Sequence, residues 1–172
     1  MGISQPMGEA YDALMERMRE LDVMGQIGGL LGWDQEVMMP PKAAALRAEQ
    51  LAWLSKEGHK RMTDPKVGEL LSTAEAEVGD DEIEQGNLRI IRDSYDKATK
   101  KPVEFVEEKA RHTSKSIVSW TEAREKNDFS IFRDDLAKMI DMSGSWQVTL
   151  AMTKTLTMLF LICTNLDYQL LN

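Results

Sequence analysis

The sequence predicts an all-α protein, built as an array of about six helices. Apolar residues recur every three or four positions along most of the chain, which is the period of one helical face. The breaks between these stretches fall at Pro, Gly, Asn and Asp clusters, which are typical of turns. We find no stretch with the alternating pattern of a half-buried strand, so the sequence favours an array of packed helices.

The first helix is predicted to begin after Pro6, which is tolerated at a helix start. Four glycines, at positions 25, 28, 29 and 32, fall in its later turns. Glycine costs a helix about 1 kcal/mol per interior position, so the cluster either ends the helix or allows another backbone to approach closely. The expected buried face consists of Ala10, Tyr11, Leu14, Met15, Met18, Leu21 and Ile27.

The segment from Leu31 to Arg47 is the most informative part of the chain, and we predict a loop there. It carries the polar triplet Asp34-Gln35-Glu36 after Trp33, followed by two Met and two Pro. Ordinary helix connections are short and consist mainly of Gly, Ser and Asn, whereas functional side chains concentrate on loops that a rigid scaffold holds in place. The segment is therefore the first candidate for a functional site.

Five further helices follow from their start and stop signals. Pro41 opens the second, through Met62; its expected apolar stripe is Leu46, Leu51, Trp53 and Leu54. Asp64-Pro65 starts the third, to about Val78. The fourth runs from about Asp81 and stops before Pro102. The last two are predicted from Pro102 to about Lys126 and from a capping Ser130 onwards.

Charge and cysteine usage exclude several classes of protein. The chain carries 29 acidic and 21 basic residues, a net charge of about −8, which argues against a nucleic-acid partner. Its single cysteine, Cys163, forms no internal disulfide and suits a reducing cytoplasm. The longest apolar run, Met158 to Cys163, is far below the ~20 residues that a membrane span requires. Residues 1–9 do not resemble a secretory signal, so we expect a cytoplasmic protein that binds no membrane.

Motifs for catalysis are weak when they are taken residue by residue. A His-Glu-x-x-His helix is absent from the sequence, and His59 and His112 are expected to face solvent or to cap helices. Cys163 has no basic neighbour to activate it. The carboxylates of Asp34 and Glu36 suit solvation or capping better than acid–base catalysis. From the residues alone we assign no catalytic group and no metal ligand.

Several motifs together resemble one family. The string Leu31-Gly32-Trp33-Asp34-Gln35-Glu36-Val37-Met38-Met39-Pro40, then Arg47 and Gln50-Leu51-Ala52, are similar to the N-terminal part of the carboxypeptidase Taq family of metallocarboxypeptidases. Thr63-Asp64-Pro65, Glu69-Leu70-Leu71, Arg92-Asp93-Tyr95, Lys100-Lys101-Pro102, Trp120-Glu122-Ala123-Arg124 and Asn127-Asp128-Phe129-Phe132 match in order and spacing. The resemblance covers about Tyr11 to Met142.

This resemblance implies the N-terminal helical part of a larger all-helical peptidase, usually a cytoplasmic homodimer. Such enzymes release C-terminal amino acids from peptides. Their zinc or cobalt ion is held by the two His of a His-Glu-x-x-His helix and a later Glu, and the Glu inside the motif activates water. Since that motif is absent here, the chain is expected to lack a metal site and to be inactive alone. The alternative is a non-catalytic helical protein-interaction module.

The resemblance also nominates four residues, Trp33, Asp34, Gln35 and Arg47, to contact substrate or to brace the active-site helices. In the parent enzyme that substrate would be a peptide. The alternative for Asp34 and Arg47 is an internal salt bridge or a cap that holds the segment to its neighbours. The sequence leaves both readings open.

Composition divides the chain into residues 1–142, the family-like helical region, and residues 143–172, an atypical tail. From Gly144 onwards only Lys154 and Asp167 are charged, so the tail suits a buried helix or a strand. With its codons shifted by one base, the stretch from Thr157 to Phe160 can read Tyr-Asp-Ala-Leu, as the family resemblance implies there. We therefore predict a frameshift product, which the gene sequence would contradict if the shifted codons do not spell that segment. Apolar surface left bare is expected to make the protein a homo-oligomer.

Overall fold

Helices form the whole regular structure of the part of the chain that the computed structural model describes, residues 8–151, with side chains to residue 144. In chain order the elements are α1 (Glu9–Val37), a 3₁₀ turn (Pro41–Ala43), α2 (Ala44–Met62), α3 (Pro65–Glu77), α4 (Glu82–Ala98), α5 (Val103–Lys126) and α6 (Ser130–Ala151). The predicted all-α array of about six helices is confirmed.

The chain divides into two compact units at a boundary between Val118 and Ser119, inside α5. The first unit contains α1 to α4 and most of α5, and it holds the segment from Leu31 to Arg47. The second contains the end of α5 and α6, where Ser119 donates a hydrogen bond to Asp135 Oδ2. All candidate site residues therefore belong to the first unit.

The core of the first unit lies where α1, α3 and α4 meet. Leu14 of α1 and Val67 and Leu71 of α3 are fully buried, and each contributes about 1.5–3 kcal/mol through burial. Tyr11 is also buried, and its hydroxyl accepts a hydrogen bond of 2.8 Å from Asn87 Nδ2 of α4. The core cluster consists of Tyr11, Leu14, Val67, Leu71, Ala74, Leu88 and Ile91.

Two predicted helix starts are confirmed by their capping bonds. Asp64 accepts a hydrogen bond of 2.8 Å from the Lys66 amide, with Pro65 in the first turn of α3. Asp81 accepts from the amides of Ile83 at 2.8 Å and Glu84 at 3.0 Å. Each carboxylate satisfies amides that the helix leaves unbonded, and it lies at the positive end of the helix dipole.

The start of α6 differs from the prediction, because Asp128 and not Ser130 is the cap. The Asp128 carboxylate accepts from the Ser130 amide at 2.9 Å and from its hydroxyl at 2.6 Å. The hydroxyl and backbone amide of Ser130 lower the pKa of Asp128. Asn127 supports the turn with a φ of 50°, a left-handed conformation that Asn tolerates better than most residues.

The glycine cluster does not end α1, which continues without a break to Val37. A Cβ added at Gly28 would lie 3.3 Å from Leu54 Cδ2, so here the absence of a side chain allows α2 to approach α1 closely. Gly25, Gly29 and Gly32 have no such neighbour within 4 Å. Gly28 therefore fits the predicted close approach, and none of the four glycines ends the helix.

The predicted apolar stripe of α2 is wrong in part, since Leu46 and Trp53 are exposed. The buried positions of this helix are Ala48, Ala52 and His59. Ile27, assigned to the buried face of α1, is also exposed.

The compositional boundary at residue 143 falls within α6, which continues through it to Ala151. The rest of the predicted tail, with Cys163 and the segment used to argue the frameshift, lies outside the described residues, so the frameshift stays a prediction. In residues 8–151 no helix combines the length and hydropathy that crossing a bilayer requires.

Candidate functional site

The candidate site lies at the junction of α1 and α2, and most of the predicted loop there is helical. Residues 31–37 form the end of α1, and only Met38, Met39 and Pro40 separate it from the 3₁₀ turn. The Met38 and Met39 amides both donate to the carbonyl oxygen of Asp34, at 3.0 and 2.8 Å, which closes the helix. Pro40 and Pro41 then prevent its continuation, because proline has no amide to donate.

Arg47 fixes the start of α2 against the end of α1. Its Nη2 lies 2.6 Å from Asp34 Oδ2, its Nη1 donates to the Leu31 carbonyl oxygen, and its Nε donates to Gln50 Oε1 at 2.9 Å. The Arg47 side chain is only 12% exposed, so water screens this contact weakly. The guanidinium also lies near the negative end of the α1 dipole. The structure thus contains the internal salt bridge that the sequence analysis gave as one of two alternatives.

Gln35 connects α1 to α5. Its Nε2 donates to the carbonyl oxygen of Ser114 at 2.8 Å, and the Ser114 hydroxyl donates back to Gln35 Oε1 at 2.8 Å. Both residues are buried. A buried amide with both ends satisfied joins two helices with a fixed geometry, whereas an unsatisfied one would destabilise the fold.

Trp33 differs from the other three candidates because its side chain is 55% exposed. The site therefore does not form one cluster: Asp34 and Arg47 are paired, Gln35 lies against α5, and Trp33 faces outwards. The second carboxylate of the segment, on Glu36, is exposed. Whether any of the four residues contacts substrate stays a prediction.

An apolar face surrounds Trp33 and was missed by the sequence analysis. We define it as the exposed side chains of Val23, Ile27, Leu30, Trp33 and Val37 on α1 with Leu46 and Trp53 on α2. Between the two helices lies a groove of about 460 Å³, whose lining includes Ile27, Leu31, Leu46, Trp53 and Leu54. The spacing of Val23, Leu30 and Val37, seven residues apart, is the signal that predicts a second apolar stripe on α1.

An ion-pair network connects α2 to α5. Arg111 Nε lies 2.9 Å from Glu49 Oε1 and its Nη2 lies 2.9 Å from Glu107 Oε1, while Lys56 Nζ lies 2.7 Å from Glu107 Oε2. The hydrogen bonds from Lys56 and Arg111 lower the pKa of Glu107, and the bond from Arg111 lowers that of Glu49. The sequence does not reveal these pairs, since acidic and basic residues are abundant throughout.

The two histidines were expected to face solvent or to cap helices, and solvent exposure is wrong because both are buried. His59 Nε2 lies 2.9 Å from the Lys101 carbonyl oxygen, and the carbonyl of His112 accepts a hydrogen bond of 2.8 Å from the Ser116 hydroxyl. They stand on different helices, α2 and α5. In the part of the chain that the structure describes, no three His, Cys, Asp or Glu residues form a group that could hold a metal ion.

Comparisons with known proteins point to one family. The family model described as Carboxypeptidase Taq (M32) metallopeptidase matches residues 13–158. The chain is 36% identical over 126 residues to thermostable carboxypeptidase 1 of Thermus thermophilus, covering 72% of this chain and 25% of that protein. It is 30% identical over 135 residues to thermostable carboxypeptidase 1 of Pyrococcus furiosus, covering 78% and 27% respectively.

A solved structure agrees with these relatives. The crystal structure of the M32 carboxypeptidase from Deinococcus radiodurans is similar with a TM-score of 0.62 and 36% identity, over 84% of this chain and 29% of that one. The chain thus spans about a quarter of the length of the curated relatives it matches. The family match also extends 15 residues beyond the compositional boundary at residue 143. These matches identify the chain as a member of the carboxypeptidase Taq (M32) metallopeptidase family.

Proposed function

We propose that this chain forms the N-terminal helical part of a zinc- or cobalt-dependent metallocarboxypeptidase that releases C-terminal amino acids from peptides. The observation that carries the proposal is the family match over residues 13–158, together with relatives about four times as long as the matched region. In this proposal the chain contributes helices that support and cover the substrate groove, and the peptide-cleaving residues lie in the part of the family fold that it does not match.

The residues present here do not fit a catalytic zinc or cobalt ion. Such a site needs three protein ligands that converge on the metal and an open position for water. His59 is bonded to a backbone carbonyl, His112 lies on another helix, and the sequence has no His-Glu-x-x-His motif. We therefore assign no step of peptide hydrolysis to this chain, and we propose that it is inactive alone.

Within this function, Asp34, Gln35 and Arg47 act as positioning residues. Each of them is hydrogen-bonded to a neighbouring element, so together they fix the end of α1 against α2 and α5. Such bracing supports catalysis because small displacements of helices that line an active site reduce activity strongly. Trp33 is the one candidate whose exposed ring suits direct contact with a peptide.

Complementation tests the proposal. The chain is co-expressed with the part of the Thermus thermophilus carboxypeptidase that it does not match, and release of the C-terminal residue from an N-blocked peptide is measured with added zinc or cobalt. We expect activity from the pair and none from either part alone. Activity of this chain alone would contradict its proposed inactivity, and absence of any association would contradict the proposed role.

Two variants of the complemented pair separate contact from bracing. If Trp33 contacts the peptide, Trp33→Ala raises KM and leaves kcat nearly unchanged, since it removes binding that substrate and transition state share. Arg47→Ala should lower kcat, because it loosens the helix junction and touches no substrate. An unchanged KM for Trp33→Ala would remove the tryptophan from the proposed groove.

A second function is favoured by one observation, the exposed apolar face of α1 and α2. A free-standing, non-catalytic interaction module would use such a face to bind a partner. Both functions predict no peptidase activity for the chain alone. Complementation discriminates between them, because only the first predicts carboxypeptidase activity when the missing part is supplied.

A further inference from the structure

Exposed apolar side chains are concentrated at the α1–α2 junction. Of the fourteen large apolar side chains that are well exposed among the described residues, the apolar face holds seven, and Met38 beside it is an eighth. Leu30 is 63% exposed and Trp53 is 62% exposed. Isolated exposed apolar residues are ordinary on soluble proteins, but a contiguous group of this size marks an interaction site.

The shape of this face suits a helix. Its five α1 residues follow one another at intervals of three and four, so they form a stripe from Val23 to Val37 about 21 Å long at ~1.5 Å per residue. The groove of about 460 Å³ between α1 and α2 lies beside the stripe. A ridge next to a groove is the geometry into which an amphipathic helix places its apolar side.

Two carboxylates near this face are neutralised within the chain. Asp34 follows Trp33 and Glu49 lines the groove, and each is paired with an arginine, Arg47 or Arg111. An apolar partner in the groove therefore meets no unpaired carboxylate from Asp34 or Glu49, although the whole chain has a net charge of −8.

We propose that the apolar face, apart from Trp33, which the proposed function assigns to the peptide, binds the part of an M32 metallocarboxypeptidase that this chain does not match, through an amphipathic helix seated along the α1–α2 groove. This inference rests on the proposed function and names the surface that performs it. About three quarters of the length of each curated relative lies outside the matched region, since this chain covers 25–27% of it. The six side chains other than Trp33 expose roughly 100 Å² each and offer about 600 Å², about three quarters of the ~800 Å² per partner of a stable interface.

The experiment introduces a charge into the face and compares it with a matched control. Leu30→Glu and Trp53→Glu alter the face, and Ile90→Glu places the same charge on α4, where Ile90 is also 63% exposed. Each chain is co-expressed with the unmatched part of the Thermus thermophilus carboxypeptidase, and the Kd of the purified pair is measured. We expect the face variants to bind at least about tenfold more weakly than the unaltered chain, because a buried unpaired charge is unfavourable. Ile90→Glu should bind like the unaltered chain.

The outcomes separate the two proposals. If the unaltered chain binds and the face variants bind equally well, this inference is overturned and the proposed function stands. If the unaltered chain does not bind, the proposed function is contradicted, and the inference that rests on it is contradicted as well. Sedimentation of the chain alone supplies a second reading: a dimer that Leu30→Glu converts to a monomer would show that a second copy occupies the face, which also overturns the inference. Unchanged circular dichroism and melting temperature establish that the variants fold.

Discussion

The two halves of α1 use the same kind of helix in opposite ways. In the first half, Tyr11 and Leu14 point inwards to the apolar core with α3 and α4. In the second half, the buried side chain is the polar Gln35, while Leu30, Trp33 and Val37 point outwards. An amphipathic helix normally buries its apolar side against its own protein. The second half of α1 does the reverse, because it buries a polar side chain and leaves its apolar side exposed.

This difference shows which half of α1 has its apolar side covered within the chain and which half does not. The first half gains its stability from apolar burial within the first unit. The second half is held by specific polar bonds, from Gln35 to Ser114 and from Arg47 to Asp34, which fix its position without covering its apolar side. The second half of α1 is thus held in place while its apolar side stays available for a partner, as we propose for the apolar face.

The largest expected effect is the difference in stability between two leucine variants, one in each half of α1. Leu14→Ala should reduce the free energy of unfolding by about 3 kcal/mol, since it leaves a cavity at a fully buried position. Leu30→Ala, on the exposed stripe, should change it by less than about 0.5 kcal/mol. Urea denaturation followed by circular dichroism measures both. Equal effects would mean that the second half is buried within the chain and would remove the contrast.

The next effect tests the polar attachment of the second half. Gln35→Leu removes the reciprocal hydrogen bonds with Ser114 and should cost about 1–3 kcal/mol, because a buried carbonyl and a buried hydroxyl lose their partner. Gln26→Leu is the matched control on the same helix, since its bond to Asp22 is exposed. If Gln35→Leu is as mild as the control, apolar packing rather than this bond holds α1 to α5.

Glycines in the second half give a smaller effect of opposite sign. Gly29→Ala should increase the free energy of unfolding by up to about 1 kcal/mol, since alanine favours helix and its Cβ meets no atom within 4 Å. Gly28→Ala should gain less, because its Cβ would lie 3.3 Å from Leu54. Thermal melting of both variants checks the difference. A destabilised Gly29→Ala would indicate that another element already packs against this side.

The sequence predicted where helices start better than it predicted how they pack against one another. The starts of α3 and α4 follow from Asp64-Pro65 and Asp81, because capping is a local interaction that the chain shows within a few residues. The extent of α1 was missed, since the local preference of glycine is overridden where α1 packs closely against α2 at Gly28. Long-range packing of this kind leaves only a weak mark in a single sequence.

The candidate site shows the same division. The motif from Leu31 to Pro40 identified the family, and the Asp34–Arg47 pair was one of the two alternatives that the sequence offered. The partner of Gln35 was beyond prediction, because Ser114 is 79 residues away and resembles any other serine. Trp53 and Leu46 were placed in the core because apolar spacing shows that a stripe exists, but not what covers it.

The smallest effect concerns the ion pairs that join α2 to α5 beside the second half of α1. The pKa of Glu107 is lowered by its hydrogen bonds to Lys56 and Arg111. A carboxyl whose pKa is lower in the folded state stabilises that state above its unfolded pKa of about 4.3, and the contribution is lost as pH falls through the lower folded value. Because these side chains are only partly buried and are screened by salt, the effect should be small.

Titration of stability from pH 7 to pH 3 isolates this contribution. The free energy of unfolding should fall less steeply below about pH 5 in Glu107→Gln than in the unaltered chain, because the variant has no proton to bind there. Glu69→Gln is the control, since Glu69 pairs with Lys66 of its own helix. If the two variants have the same acid profile, the contacts between α2 and α5 contribute no more than a pair within one helix. The second half of α1 would then depend on Gln35 and Arg47 for its position.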